Sequence, residues 1–197
     1  MLKPLNLTLF MLGIALTCSA GAQSSDPAIQ KMLSDQEYCY ALSAMSNMSV
    51  IWRNSGRTLE EQLERRKKSL GADTPEYLLV QDVTKQIYEK DIKDPKVAVA
   101  DTHAACLDAK GHTRKFTQKA IRTCPVVGIM VGEVAMARRK GATVEQVSSL
   151  LGDRYGDLPK TYEGGVEKLA AKYSETSKQD TGAFDYLTCM ILGMAPQ

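Results

Sequence analysis

The sequence predicts an all-α protein of two tandem pseudo-repeats. Each holds about four helices, and an approximate two-fold relates them around a shared core. Three observations predict this. Cys39, Arg53, Gly56, Thr58 and Glu60 recur as Cys124, Arg138, Gly141, Thr143 and Glu145, each 85 positions later. Tyr77 and Tyr88 recur at the same offset as Tyr162 and Tyr173. Self-similarity at a fixed offset marks repeated supersecondary units. Second, helix start and stop signals follow the same order in both halves, while strand signals are scarce. Third, each half opens and closes with a cysteine: Cys39 and Cys106, then Cys124 and Cys189.

Residues 1–22 read as a signal peptide. Lys3 supplies the positive start, Leu5 to Leu16 is largely apolar, and Ala20-Gly21-Ala22 offers a small-x-small cleavage site before Gln23. A lipoprotein signal centred on Cys18 fits less well, because Ala15-Leu16-Thr17 lacks the usual leucine three residues before the cysteine. The first repeat then covers 23–110 and the second 111–197.

The first helix is expected from Asp35 to Asn54, with Ala41, Leu42, Met45, Met48 and Trp52 at helical spacing. Gly56 suits the left-handed residue after a helix end. Thr58 with Glu61 forms a capping box that opens a helix to about Leu70. Thr74-Pro75 starts a third helix, to about Lys90, as N-cap and first-turn proline. Asp94-Pro95 starts a fourth, ending near Lys110-Gly111. Lys110 to Lys119 is polar and serves as the connector.

The second half repeats the order. A helix is expected from about Arg122 to Lys140, stopped by Gly141. Thr143 and Gln146 cap the next, to about Leu151. A third runs from about Leu158 to Ser174 and a fourth from about Asp180 to Met194. Pro125 to Ala137 is apolar on every side except at Glu133, which predicts a helix buried all round. Gly128 and Gly132 leave one flank of it bare. Their counterparts are Ser43 and Asn47, so the two Cys-bearing helices are expected to cross there.

Four cysteines in an exported chain predict two disulfides. The duplication selects Cys39–Cys106 and Cys124–Cys189, one inside each half. Each closes a loop whose constraint on the unfolded chain is worth about 4 kcal/mol.

The 25 basic and 23 acidic residues nearly cancel. No basic stripe for nucleic acid is announced, and no later run of uninterrupted apolar residues reaches transmembrane length. Arg53, Arg57, Arg65, Arg66, Lys67 and Lys68 interleave with Glu60, Glu61 and Glu64, which predicts a solvated face of i,i+4 pairs. Met45, Met48, Met130, Met136, Met190 and Met194 fall in predicted core helices.

Candidate chemistry is sparse. His103 precedes Cys106 by three residues, but a metal site there needs a thiolate that a disulfide removes. His103 is otherwise a partly buried helix residue and His112 a loop residue. Glu133 is the candidate functional carboxylate. A lone acid on an apolar helix has a raised pKa unless paired, and the plainer arrangement is an ion pair with a lysine or arginine of a neighbouring helix. No nucleophile elbow, phosphate loop or zinc-protease helix is present in the sequence. No cofactor is expected.

The ending Phe184-Asp185-Tyr186-Leu187-Thr188-Cys189, with an earlier cysteine on an apolar helix, resembles the small exported all-helical immunity proteins that neutralise type VI secretion amidases. The resemblance covers the second half. It implies a periplasmic, disulfide-containing inhibitor and carries over no individual functional residue. The sequence therefore predicts a periplasmic or secreted binding protein with a protein partner in the envelope. The alternatives are an envelope enzyme acting on cell-wall polymers and a stress-protective structural protein.

Overall fold

The computed structural model describes residues 26–155, 165–172 and 181–194. They form eight α-helices and contain no strand. The expected leader, residues 1–22, lies outside them, as does much of the third helix of the second half.

Helix α1 runs from Pro27 to Asn54, 28 residues, rather than starting at Asp35. Asp26 is its N-cap and accepts from the Ala28 amide at 2.8 Å, with Pro27 in the first turn. The same Asp-Pro signal that marks Asp94-Pro95 therefore sets this end. Gly56, at φ 87°, turns the chain after α1. Helix α2, Leu59–Leu70, opens with the Thr58/Glu61 capping box in both directions, at 3.2 and 2.9 Å. Helix α3 is Pro75–Glu89 and α4 is Pro95–Ala109, capped by Thr74 and Asp94.

A single 3-10 turn, Thr113–Lys115, lies in the connector. Helix α5, Gln118–Arg139, begins four residues earlier than expected because Thr117 caps it through the Ala120 amide. Helix α6 is Val144–Tyr155, and Thr143 and Gln146 form its capping box. The remaining helices are α7, Gly165–Lys172, and α8, Thr181–Leu192. After α8 the chain closes onto the connector: the Thr117 amide donates to the Gly193 carbonyl at 2.9 Å, and Phe116 and Met194 make an isolated antiparallel bridge.

The helices pack in pairs. Helix α1 lies against α4, joined by Cys39–Cys106, and α5 lies against α8, joined by Cys124–Cys189; both have Cα–Cα 5.5 Å. Helix α4 also packs on α5 and ties the pairs together. One apolar cluster gathers the cysteines with Leu42, Leu107, Ile121, Tyr186 and Met190, drawn from both halves of the chain. A second surrounds α5 with Val147, Leu151, Tyr155 and Leu169.

The bare flank of α5 receives α8, not α1. An added Cβ at Gly128 would meet Tyr186 Cβ at 2.7 Å and the Gly182 carbonyl at 2.8 Å. A third glycine, Gly182, thus completes the close approach. Helix α1 meets α5 there only through side chains, Tyr40 near Gly128 and Asn47 near Glu133. Of the six methionines, Met130 and Met190 are fully buried and Met194 is exposed. Among the described helices α5 alone is both long and apolar enough to cross a bilayer, but 72% of its most apolar stretch is buried inside the bundle.

Candidate functional site

Glu133 sits on α5 at 9% exposure with both oxygens engaged. Asn47 Nδ2 of α1 donates to Oε1 at 3.0 Å, and Arg154 Nη1 of α6 donates to Oε2 at 3.0 Å. The carboxylate thus joins three helices through an ion pair. Burial, then the adjacent Glu133 charge, push the Tyr155 hydroxyl well above its ordinary value. Arg154 alone of this group lines an open groove of about 430 Å³, beside Lys93, Asp94 and Lys96. Among the described residues the groups placed beside Glu133 are Asn47, Arg154 and the Tyr155 hydroxyl.

His103 is fully buried rather than partly so. Pro125 explains its setting. Inside α5 a proline has no N–H, so the carbonyl four residues earlier loses its helical donor. That carbonyl belongs to Ile121, and His103 Nδ1 lies 2.7 Å from it. Nδ1 must therefore carry the proton, and Nε2 lies 2.8 Å from Tyr186 Oη. Tyr186 Oη is also 3.2 Å from the Gln36 carbonyl, and its ring stacks on Tyr40 with centroids 4.5 Å apart. One histidine thus knits α1, α4, α5 and α8 together. Burial lowers its pKa to about 4, so the neutral form persists at ordinary pH. Cys106 is bonded to Cys39, so no thiolate stands beside His103. Among the described residues no three His, Cys, Asp or Glu side chains are grouped to hold a metal ion.

His112, read as a loop residue, is also buried. Its Nε2 lies 2.8 Å from Asp35 Oδ2, which also receives Lys31 Nζ at 2.7 Å. These hydrogen bonds, Lys31 foremost, hold the Asp35 carboxyl down at about 2. The contact fastens the connector to the start of α1.

Two surfaces remain after these internal groups. The first is the outer face of α8. Gly182, Tyr186 and Met190 point inward on one face. Opposite them Phe184 is 71% exposed, Ile191 58% and Leu192 83%, with Leu187 half-buried between. Thr188 is exposed among them, so the outer face is largely apolar but not wholly so. Helix α4 differs at the corresponding places. Five residues before its disulfide cysteine it carries Asp101 where α8 carries Phe184, and two after it carries Asp108 where α8 carries Ile191.

The second surface corrects the expected solvated basic face. Arg57, Arg65 and Arg66 all lie against the Trp52 ring, with guanidinium carbons 5.1, 5.4 and 5.1 Å from its centroid. Arg66 is 3% exposed and donates to the Met45 carbonyl at 3.1 Å and Ser49 Oγ at 3.0 Å. Within this run the expected i,i+4 pairing is made by Glu64 with Lys68 at 3.3 Å.

No protein-family model, curated protein or solved structure matches the chain. Its two disulfides are consistent with an oxidising compartment.

Proposed function

We propose that the protein is an exported helical binding protein that docks a protein partner of the cell envelope on the outer face of α8. The observation that carries this reading is the exposure of Phe184, Ile191 and Leu192, with half-buried Leu187 and exposed Thr188 between them, on a helix whose inner face is already satisfied. Leaving such a face in water is unfavourable by about 25 cal/mol per Å² of apolar surface, and contiguous exposed apolar patches mark interaction sites. Helix α8 has 12 residues, too few to span a bilayer, which favours a protein over a membrane core as the occupant.

In this reading residues 1–22 are the export signal, 23–110 and 111–197 are pseudo-repeats related by an approximate two-fold, and the protein acts in the periplasm or outside the cell. The apolar face falls within the segment that resembles type VI amidase immunity proteins, so inhibition of the docked partner is the specific activity proposed. The contrast with Asp101 and Asp108 on α4 fits a duplication in which one copy of the last helix became the binding face. Supporting it further, Glu133, His103 and Asp35 are each consumed by internal partners.

Site-specific photo-crosslinking tests it. A photoreactive phenylalanine analogue at position 184 is expected to yield one discrete adduct in the envelope. Ile191→Asp is expected to abolish that adduct while leaving the circular dichroism unchanged. Absence of any adduct, together with hydrolysis of a wall polymer by the purified protein, would replace binding by catalysis.

A further inference from the structure

The arginines on Trp52 carry an inference that is independent of the α8 face. Cation–π stacking uses the flat face of a guanidinium and leaves its five N–H donors in the plane of the fork. Arg57 and Arg65 both lie over the Trp52 ring within cation–π range, and both are partly exposed. Among the described residues neither has a carboxylate in ion-pairing range. The nearby acids are committed elsewhere. Glu61 Oε2 accepts from the Thr58 amide at 2.9 Å, and Glu64 pairs with Lys68. Arg65 thus forgoes Glu61, its partner one turn away, for the ring.

On the same ring Arg66 is buried, and among the described residues it has no carboxylate partner and its Nε–H has no acceptor. Burial brings this guanidinium down to about 10, which leaves it charged at neutral pH. A buried charge without a counter-ion is costly, and a bound anion nearby offsets that cost. The geometry is fixed in advance. Tyr88 Oη donates to the Arg57 carbonyl and receives Gln62 Nε2 at 2.6 Å, which holds the α1–α2 turn in place. Arg57, Arg65 and Lys68 line an open groove of about 410 Å³ with Glu61 and Glu64.

We propose that Arg57 and Arg65, gathered with buried Arg66 around the Trp52 ring, form a binding site for a phosphate-class oxyanion. A phosphate group offers one acceptor oxygen to each of two forks and carries up to two negative charges. A single carboxylate brings one charge and two oxygens to three cations. The groove leaves room for whatever the phosphate is attached to, so free phosphate and a lipid phosphate share this chemistry.

Trp52 is the chain's one tryptophan and reports the site directly. Its fluorescence is followed in the full exported protein on titration with inorganic phosphate, against sodium chloride of equal ionic strength. A parallel titration uses phosphatidylcholine vesicles with and without phosphatidic acid. A saturable change with phosphate but not chloride is expected, and its apparent Kd is expected to rise at least about 10-fold in Arg57→Gln and in Arg65→Gln. Both side chains reach solvent, and unchanged circular dichroism verifies the fold. A response to free phosphate assigns the site to the soluble ion. A response confined to phosphatidic acid vesicles assigns it to a lipid headgroup. If phosphate and vesicles both leave Trp52 unchanged, or if the Arg57→Gln/Arg65→Gln protein responds like its parent, the site does not exist.

Discussion

Gly128→Ala and Gly132→Ala should move stability in opposite directions, although both exchange a helical glycine for the best helix former on the same helix. A Cβ at Gly128 would stand 2.7 Å from Tyr186 Cβ, 2.8 Å from the Gly182 carbonyl oxygen and 2.9 Å from Tyr40 Cε2. Favourable separations between non-bonded carbons are about 3.5–4.0 Å. The first two obstacles are backbone or fixed to it, so neither can swing aside. Helix α8 must move off α5, and Cys124–Cys189 one turn away resists this. Overpacking of this kind costs about 1–3 kcal/mol, and helix propensity returns at most about 1 kcal/mol. The net expectation is a loss of about 1–2 kcal/mol. At Gly132 the nearest atom is the Gly182 Cα at 3.9 Å, an ordinary contact. Only the propensity gain remains there, about 0.5–1 kcal/mol. Urea unfolding followed by far-UV circular dichroism measures both. The two variants should differ by about 2 kcal/mol, or roughly 4–8 °C in Tm at this chain length. Equal shifts, or a larger loss at position 132, would refute the packing assigned to the α5–α8 crossing.

Four further outcomes are expected. His103 is held neutral by burial, with its folded pKa near 4 against an ordinary value of 6.5. The unfolded chain then binds the proton more readily, so this contribution is complete above pH 6.5 and is lost as pH falls towards 4. It amounts to about 3 kcal/mol, and pH-dependent urea titration of the parent and His103→Gln should show the slope vanish in the variant. Asp35, held at about 2 against 3.8, loses its contribution in a lower window, as pH falls from 3.8 to 2. Asp35→Asn should flatten acid unfolding there and nowhere else. Arg154→Ala strips Glu133 of its cation; breaking a fully buried pair costs about 3–5 kcal/mol. With 31% of the arginine side chain exposed, about 1–3 kcal/mol is expected, and Glu133→Gln in the same background should restore part of it in calorimetry.

Signals confined to four or five consecutive residues were legible. The capping boxes at Thr58 and Thr143 and the Asp94-Pro95 start each settle a helix end through atoms within one turn. The start of α1 carries the same signal at Asp26-Pro27, followed by Ile29, Met32 and Leu33 at helical spacing, so this end is legible too and the start expected at Asp35 overlooks it. What escaped was decided at long range. Gly182 matters only because Gly128 comes to face it. His103 is enclosed because Pro125 frees a carbonyl 18 positions away. Arg66 looks like one more surface cation until Trp52 and Ser49 are seen around it. Glu133 stood out as an isolated acid, yet nothing in the neighbouring residues names Asn47 or Arg154 as its partners.

All four bonded cysteines belong to a single apolar cluster. A chain collapsing around that cluster brings every thiol within reach of every other before the helices have fixed who pairs with whom. Oxidative refolding should therefore pass through scrambled isomers. The native form should emerge by thiol exchange, faster in a glutathione buffer or with an isomerase than in air.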